Sequence, residues 1–518
     1  MVSVPGNTPI LVGAGQYTDH MNTPQYAGLS PQALAALAVE RALFDAGIAA
    51  DRQSLDALVA VRTVGDSLPA EQYPLALFGK PDNFPRAVAR LAGCNPRTAI
   101  YSIACGDEPQ LLVGEMAERI AAGEFKLVAL CGAEATATAR LALRRGETLD
   151  WSDTTGGQCD DRGACIEGLR GPQMAEHGMA MPLDIYPLFE HARRHRIKAS
   201  SDDYALMMAE LLERFNRVAQ DNPYAVHREH LGRDDIASVS ASNRIVSYPY
   251  TKACVAKDAV NQGAAVLMTS VAVAQSLGID PAKWVYLHGY ANAAEPPVTH
   301  RARLDTSVAM TMTYQQALAS AQLSADDIEH MDLYSCFPIA VFIALEALSI
   351  NANDPRALTV TGGLPYFGGP GNNYSMHAIA SMIDRLRSDP GSHGLVGANG
   401  GYLSKHAVGI YSTTPPREWR PCSSSALHSS LARLDYLALE LQPEGQGIIE
   451  SFSIIPVRDG LRSAILGRLT GSGKRFVARS HDSQSIEQNL INTPAIGRLV
   501  TVHSSPEGCN TFAFDLNC

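Results

Sequence analysis

Four short segments carry side chains suited to chemistry on a carbonyl group. In SIACGDEPQLLVGEM (102–116), Cys105 stands just before an amphipathic helical pattern, with Leu112, Met116 and Ile120 on one stripe and Pro109 suited to the first turn. A helix N-terminus lowers a thiol pKa, and the thiolate is the nucleophile. Asp107 and Glu108 oppose this, because adjacent negative charge raises a thiol pKa. In DLYSCFP (332–338), Tyr334 ends a strand pattern, and a phenol can donate a hydrogen bond to a carbonyl or take a proton from a hydroxyl. Cys336 is a second candidate thiol. GGLPYFGGPGNNY (362–374) leads into a helical pattern that carries His377. Its asparagines, Asn372 and Asn373, suit capping that helix or aiming amides at a carbonyl. In ANGGY (398–402), the Asn399 amide can polarise an oxygen, and His406 follows as a nearby imidazole. Each of these residues also has a packing role open to it: a buried free cysteine, a tyrosine at a strand end, a core histidine.

The elements that position these groups alternate between short apolar strands and amphipathic helices, which predicts an α/β fold. Strands are expected at 10–16, 55–62, 98–103 and 125–131, with helices at 33–46, 84–91 and 109–122. Residues 140–250 break the rhythm with charged helical patterns and polar loops, and read as an insertion. Strands resume at 264–270, 284–290, 330–334, 358–362, 394–399 and 408–412, so the chain reads as two copies of one unit. Beyond TTPPREWRPC (413–422) the pattern becomes β-rich and bounded by glycine and aspartate, which predicts a small OB-like barrel. The expected domains are 1–275 with the insertion 140–250, 276–415, and 420–518.

Glycine-rich GAGQ (13–16) lacks the third glycine of a dinucleotide loop, and GSGK (471–474) lacks the spacing of a phosphate loop and reads as a hairpin turn. The ten cysteines are scattered without a CxxC pair, which predicts reduced thiols and no metal site. A formal charge of −11 disfavours nucleic acid and anionic membranes as partners. No 18-residue apolar stretch and no basic leader followed by an apolar run is present, so a cytoplasmic protein with no membrane span is expected. The one dense basic cluster is Arg193, Arg194, His195, Arg196 and Lys198, which reads as a solvated helix face or a contact for a phosphate.

The four segments, together with CGAEATATA (131–139) and KDAVNQGAAVLM (257–268), resemble the ordered motifs of the thiolase superfamily, and in particular the thiolase-like protein type 1 group of its sterol-carrier-protein branch. The resemblance implies a duplicated five-layer αβαβα fold with an extra C-terminal domain, and a coenzyme A thioester as substrate with no permanently bound cofactor. It also implies an acetyltransferase-like activity. In that family the three C-terminal loops read NEAF or HDCF, then GHP, then CxG. Here Tyr334 replaces the Asn or His, Gly369 replaces the base histidine, and no cysteine lies between Ala340 and Pro421. Counting along the helix places the nucleophile position at Gly106, with Cys105 one residue away. The expected function is an acyl-CoA-handling acyltransferase without the standard catalytic set. The alternatives are an aldolase-type lyase on a β-hydroxyacyl-CoA using Tyr334, and a non-catalytic acyl-CoA-binding protein. The candidate residues are Cys105, Tyr334, Asn399, His377 and His406. The residues that hold the coenzyme are not legible, and a monomer and a dimer are both open.

Overall fold

The computed structural model describes residues 4–68, 77–166, 169, 171–422, 424–505 and 508–514. The first half runs β1 (Pro9–Thr18), α1 (Pro31–Asp45), β2 (Ala57–Ala60), α2 (Phe84–Leu91), β3 (Thr98–Tyr101), α3 (Glu108–Ala121), β4 (Leu127–Ala135), α4 (Thr136–Arg145) and β5 (Asp160–Asp161). The insertion follows with α5 (Pro172–Glu176), α6 (Pro182–Arg196), α7 (Ser201–Asp221), α8 (Arg233–Ala237) and the hairpin β6 (Ile245–Ser247) and β7 (Tyr250–Thr251). Then come β8 (Asn261–Ser270) and α9 (Val271–Ser276). The second half holds β9 (Val285–Ala294), α10 (Val308–Ala321), β10 (His330–Asp332), α11 (Pro338–Leu348), α12 (Tyr374–Ser388), β11 (His393–Gly400) and β12 (Lys405–Ser412).

The strands form one ten-stranded mixed sheet in the order β10-β11-β12-β9-β1-β8-β4-β2-β3-β5. The two halves join through a short antiparallel contact of β1 with β9, Ile10 opposite Tyr286 and Leu11 opposite Val285. Helices α3 and α12 pack between the two half-sheets, where Leu112, Met116 and Ile120 meet Met376, Ile379 and Ile383. Burying each such side chain contributes about 1.5–3 kcal/mol. Helices α1 and α2 cover the outer face of the first half, and α10, α11 and the insertion cover that of the second. The result is the five-layer duplicated thiolase fold. Gly15 in GAGQ sits on β1, where a β-carbon would run into the Ala38 carbonyl of α1, so the glycine serves close helix–strand packing.

Residues 358–362, expected as a strand, form none. The Asp332 carboxylate accepts from Val360 N (3.0 Å), Thr361 N (3.1 Å) and the Thr359 hydroxyl (2.8 Å), so backbone donors that a ladder would use are spent on a side chain. Asp332 thereby ties the 359–361 segment to the end of β10, two residues before Tyr334.

The outer edge of β3 is covered by the chain itself. Ile100 and Tyr101 pair with Asp160 and Asp161, and Arg62 bonds the exposed Asp161 carboxylate.

The C-terminal region holds α13 (Ser425–Leu431) and a closed barrel of β13 (Gly445–Val457), β14 (Gly460–Leu469), β15 (Arg475–Ser480), β17 (Asn510–Phe514) and β16 (Leu499–Ser504), each paired with the next around the ring. Backbone bonds from Leu469 N to Lys474 O (3.0 Å) and from Gly473 N to Leu469 O (2.9 Å) close the β14–β15 hairpin at GSGK. The barrel docks on the insertion: Ala464, Leu466 and Val477 share a core with α6 and α7, and the Ser451 hydroxyl donates to Leu188 O (2.5 Å). Arg475, 1% exposed, reaches out of the barrel to Arg301 O (2.6 Å), Val298 O (3.2 Å) and Thr299 O (3.3 Å), while Glu450 holds its Nε (2.7 Å).

Candidate functional site

The loop between β3 and α3, the loop after β10 and the β11–β12 turn converge at the N-terminus of α3. The residue that faces the convergence is Gly106. A β-carbon there would lie 2.5 Å from Asn399 O and 2.6 Å from the Tyr334 hydroxyl. Tyr334 therefore occupies the space in front of the helix N-terminus, its ring set edge-on against Tyr374 at 5.4 Å. Ser375, in the first turn of α12, donates to Gly106 O (3.3 Å) and ties the second buried helix to this point.

Cys105 looks elsewhere. Its sulfur lies against Gly400 and beside the Asp107 carboxylate; a β-carbon on Gly400 would collide with both. Burial, then the Asp107 charge, push the Cys105 thiol well above its usual range, with Lys405 pulling weakly the other way. Asp107 occupies the N-cap position of α3 but makes no cap hydrogen bond, and its Oδ1 is buried without a partner. Burial raises its carboxyl, and burial with Asp107 alongside pushes Glu108 up to about 8. The helix thus starts with two buried acids, and its dipole is turned to carboxyl groups in place of a thiolate.

Asn399 donates to the Tyr186 hydroxyl (3.0 Å) and to Cys336 Sγ (3.6 Å), while its Oδ1 is buried and unpartnered. Tyr186 comes from α6 of the insertion and stacks on Phe337 at 4.2 Å. Burial pushes the Cys336 thiol up to about 12. Burial, reinforced by Cys336, Cys105 and Asp107, holds the Tyr334 phenol protonated well above its usual pKa. The β11–β12 turn is strained: Gly401, Tyr402 and Leu403 have φ of 57°, 55° and 63°, a left-handed run in which two residues are not glycine.

The structure brings Cys105, Tyr334 and Asn399 together and sets the two histidines apart from the loops' meeting point. His377 faces Gln16 (2.8 Å) and the Phe367 ring on the buried side of α12, and burial drops its pKa to about 3. His406 is the cross-strand partner of Asn399, but its Nε2 meets the Ser307 hydroxyl (3.1 Å), which also bonds Glu295; burial, with Arg301 adding to it, drops its pKa to about 3. Gly369 faces the Lys257 carbonyl and Ala256, and a β-carbon would fit there at 3.4 Å or more. Asn372 and Asn373 cap nothing; their amides donate to Arg62 O (2.8 Å) and Gly132 O (2.7 Å), binding α12 to the ends of β2 and β4. Glu134 accepts from Val64 N (2.7 Å), and burial pushes it up to about 8. Tyr186 carries no motif, since its place follows only from how the insertion folds back, whereas Asp107 was legible as a neighbour of Cys105 and not as a buried acid.

The thiolase-like protein type 1 additional C-terminal domain matches residues 427–507, which fall on α13 and most of the barrel. The solved structure of a monomeric SCP2-thiolase like protein type 1 from Mycobacterium smegmatis is 34% identical, with TM-score 0.84, over 99% of this chain and 100% of its own. The chain belongs to the thiolase-like protein type 1 family. Two more distant structures share the fold of this thiolase-like protein. The Ltp2-ChsH2(DUF35) aldolase is 18% identical with TM-score 0.57, covering 79% of this chain and 98% of its own. The dimeric peroxisomal thiolase of Saccharomyces cerevisiae is 13% identical with TM-score 0.58, with the same coverage. No curated protein sequence matches the chain. No helix of the described residues is long and apolar enough to cross a membrane.

Proposed function

We propose that this thiolase-like protein binds a coenzyme A thioester and acts on its acyl part without an acyl-enzyme, as a carbon–carbon lyase on a β-hydroxyacyl-CoA. The observation that carries this reading is that Tyr334 and Asn399 fill the space a β-carbon on Gly106 would need, at 2.6 Å and 2.5 Å. The position facing the three loops has no side chain and no room for one. The neighbouring thiol, Cys105, is held as a thiol and turned toward Gly400, which is a poor setting for nucleophilic acyl transfer.

The groups that remain suit a different reaction. Cleavage of a β-hydroxyacyl-CoA breaks the Cα–Cβ bond. The hydroxyl proton leaves as the β-carbonyl forms, and the electron pair moves into an enolate whose oxygen gains charge. The protonated Tyr334 phenol is a donor for that oxygen. Asp107, beside it, is the group the buried site offers to take the hydroxyl proton as the Cα–Cβ bond breaks and to return that proton to Cα of the enolate, which leaves the shorter acyl-CoA and a free aldehyde or ketone with no further reactant. That an aldolase shares the fold is in keeping with this reading. A second reading, binding without turnover, is favoured by the packing, because Tyr334, Tyr186, Asn399 and Cys105 are all buried and touch one another or the same loops.

The test is incubation of the full chain with acetyl-CoA and, separately, with a panel of 3-hydroxyacyl-CoAs, followed by intact mass and product analysis. Cleavage to a shorter acyl-CoA, lost in Tyr334→Phe, supports the lyase. Binding with neither cleavage nor adduct favours the second reading. An acyl adduct lost in Cys105→Ser sinks both and restores the acyltransferase.

A further inference from the structure

The basic cluster at the end of α6 divides by partner. Arg193 bonds Glu346 (3.0 Å), and Arg196 bonds Asp305 and Glu346 (2.7 Å each), so both are neutralised. Arg194, His195 and Lys198 meet no carboxylate among the described residues and line a cavity of about 390 Å³ instead. That cavity lies between the end of α6, the start of α7 and the barrel segment 491–496. It is large enough for a small ligand.

Two further features point to an occupant. His191, 97% buried, lines the cavity, and its ring stacks on Phe452 of the barrel at 4.0 Å and 21°. Burial and the adjacent Arg194 hold this imidazole neutral against a hydrogen bond to the Tyr248 backbone, so it adds no positive charge to the cavity. The second feature is the start of α7, a 21-residue helix whose Ser200 and Ser201 lie on the cavity wall and whose dipole favours an anion there. Arg194 reaches across to the Ser201 hydroxyl. The carboxylates of that first turn, Asp202 and Asp203, are exposed and do not line the cavity. The facing wall, Phe452, Ile491, Pro494 and Ile496, is apolar and suits a flat ring.

We propose that this junction of insertion and barrel is a binding site for a phosphomonoester carried on a flat, largely apolar body, as in a nucleotide. An unpaired guanidinium, an ammonium and an imidazole converge on one end, where a dianionic phosphate makes charge-assisted hydrogen bonds, and the apolar wall takes the body. Such a group has two sources, a free nucleotide or the nucleotide end of coenzyme A. Along α6, Arg194 lies eight residues beyond Tyr186, which touches Asn399, a rise of about 12 Å. The site does not depend on whether Tyr334 performs chemistry.

The probe is adenosine 3′,5′-bisphosphate, titrated calorimetrically into the full chain. The expected result is one site, weakened by salt. Arg194→Gln and Lys198→Gln should each weaken it about tenfold, the scale of one hydrogen bond to a charged group, with Arg233→Gln, exposed and paired elsewhere, as an unaffected control. Absence of binding at millimolar probe, or unchanged affinity in both Arg194→Gln and Lys198→Gln, overturns the site. Competition assigns the source: displacement by CoA and not by dephospho-CoA points to the coenzyme's phosphomonoester, and bound probe that neither displaces points to a free nucleotide.

Discussion

The Tyr334 hydroxyl stands where a side chain on Gly106 would have to be, and the backbone oxygen of Asn399 closes the same space from the other side. The start of α3 and the loop after β10 have thus merged into one packed contact. Glycine at 106 and tyrosine at 334 are a matched pair, and their coupling can be measured.

Gly106→Ala should destabilise the chain by about 1–3 kcal/mol, the range for overpacking a filled core. Tyr334→Phe removes the atom at 2.6 Å and leaves the Asn399 oxygen in place. The double substitution should therefore cost less than the sum of the two singles, by 0.5 kcal/mol or more. Urea unfolding of the four proteins gives the cycle. Simple additivity would show that the phenol does not fill the space of the missing side chain.

Cys105 should resist alkylation at neutral pH. It is 3% exposed, and burial and Asp107 hold the thiol above its usual range, so the reactive thiolate forms only at high pH. Cys165 is exposed and should be modified first. Asp107→Asn removes the nearest negative charge and should bring the onset of Cys105 labelling to lower pH. Peptide mapping after a timed iodoacetamide pulse at several pH values reads this directly. Selective labelling of Cys105 at pH 7 would mean that the helix dipole outweighs burial and the carboxylate.

The order of strands and helices was legible because each strand is an apolar run bounded by polar turns and each buried helix carries a clear stripe, such as Leu112, Met116 and Ile120. Residues 358–362 misled because an apolar, β-branched run reads as a strand until Asp332 takes its backbone donors. The site was half legible. Tyr334 and Asn399 sit in short glycine-bounded motifs, and the structure sets them side by side. Whether Cys105 or Gly106 faces the loops is a question of one residue of register, which no periodicity resolves. His377 and His406 stood out as chemistry-bearing types near those motifs, yet their partners, Gln16 and Ser307, are remote in sequence, and only the packed structure shows the rings turned to them. Tyr186 lies in the insertion, more than 200 residues before Asn399, and nothing local marks it.

The chain should be a monomer in solution. An open edge on β3 would be a template for pairing with a second copy. Asp160 and Asp161 occupy it, and Arg162 pins that segment to Glu115 at 2.6 Å. Light scattering after gel filtration at tens of micromolar should give the mass of one chain. Arg162→Gln should loosen the cover and raise the dimer fraction. A stable wild-type dimer would show that another surface does the pairing.

Glu134 should make the fold less stable as pH rises. Its folded pKa is about 8 against an ordinary 4.5, with burial as the main cause. The folded state therefore holds a proton that the unfolded chain releases, and stability falls from about pH 4.5 up to pH 8. His377 and His406, held near 3, work in the opposite sense and lose stability as pH falls below about 6.5. The Glu134 contribution is isolated by difference: Glu134→Gln, which keeps an acceptor for Val64 N, should gain on the wild type steadily between pH 5 and 8. Denaturant midpoints at pH 5, 6.5 and 8 test it. A constant difference across that range would mean that Glu134 ionises normally in the fold.

Arg475 should be the residue on which barrel docking depends most. Its guanidinium is buried and bonds three carbonyls from the segment Val298–His300 and Arg301, while its Nε meets Glu450. Replacing it with methionine keeps the bulk of the stem but takes the guanidinium from the Thr299 and Arg301 carbonyls, while Val298 O keeps the Arg301 N–H. Glu450 keeps Arg468 as a partner at 2.6 Å, so its charge is not stranded and the loss concentrates on the docking contact. Breaking one partner of a buried ionic network costs about 3–5 kcal/mol, and Arg475→Met should fall toward the lower end because Arg468 remains. Arg475→Lys should recover little, since an ammonium cannot reproduce a planar fork aimed at several oxygens. Thermal and urea unfolding followed with limited proteolysis should show early release of the barrel strands in both variants. Arg475→Met within about 0.5 kcal/mol of wild type, the usual range for an exposed substitution, would place the docking energy in the shared core of Ala464, Leu466 and Val477 with the insertion.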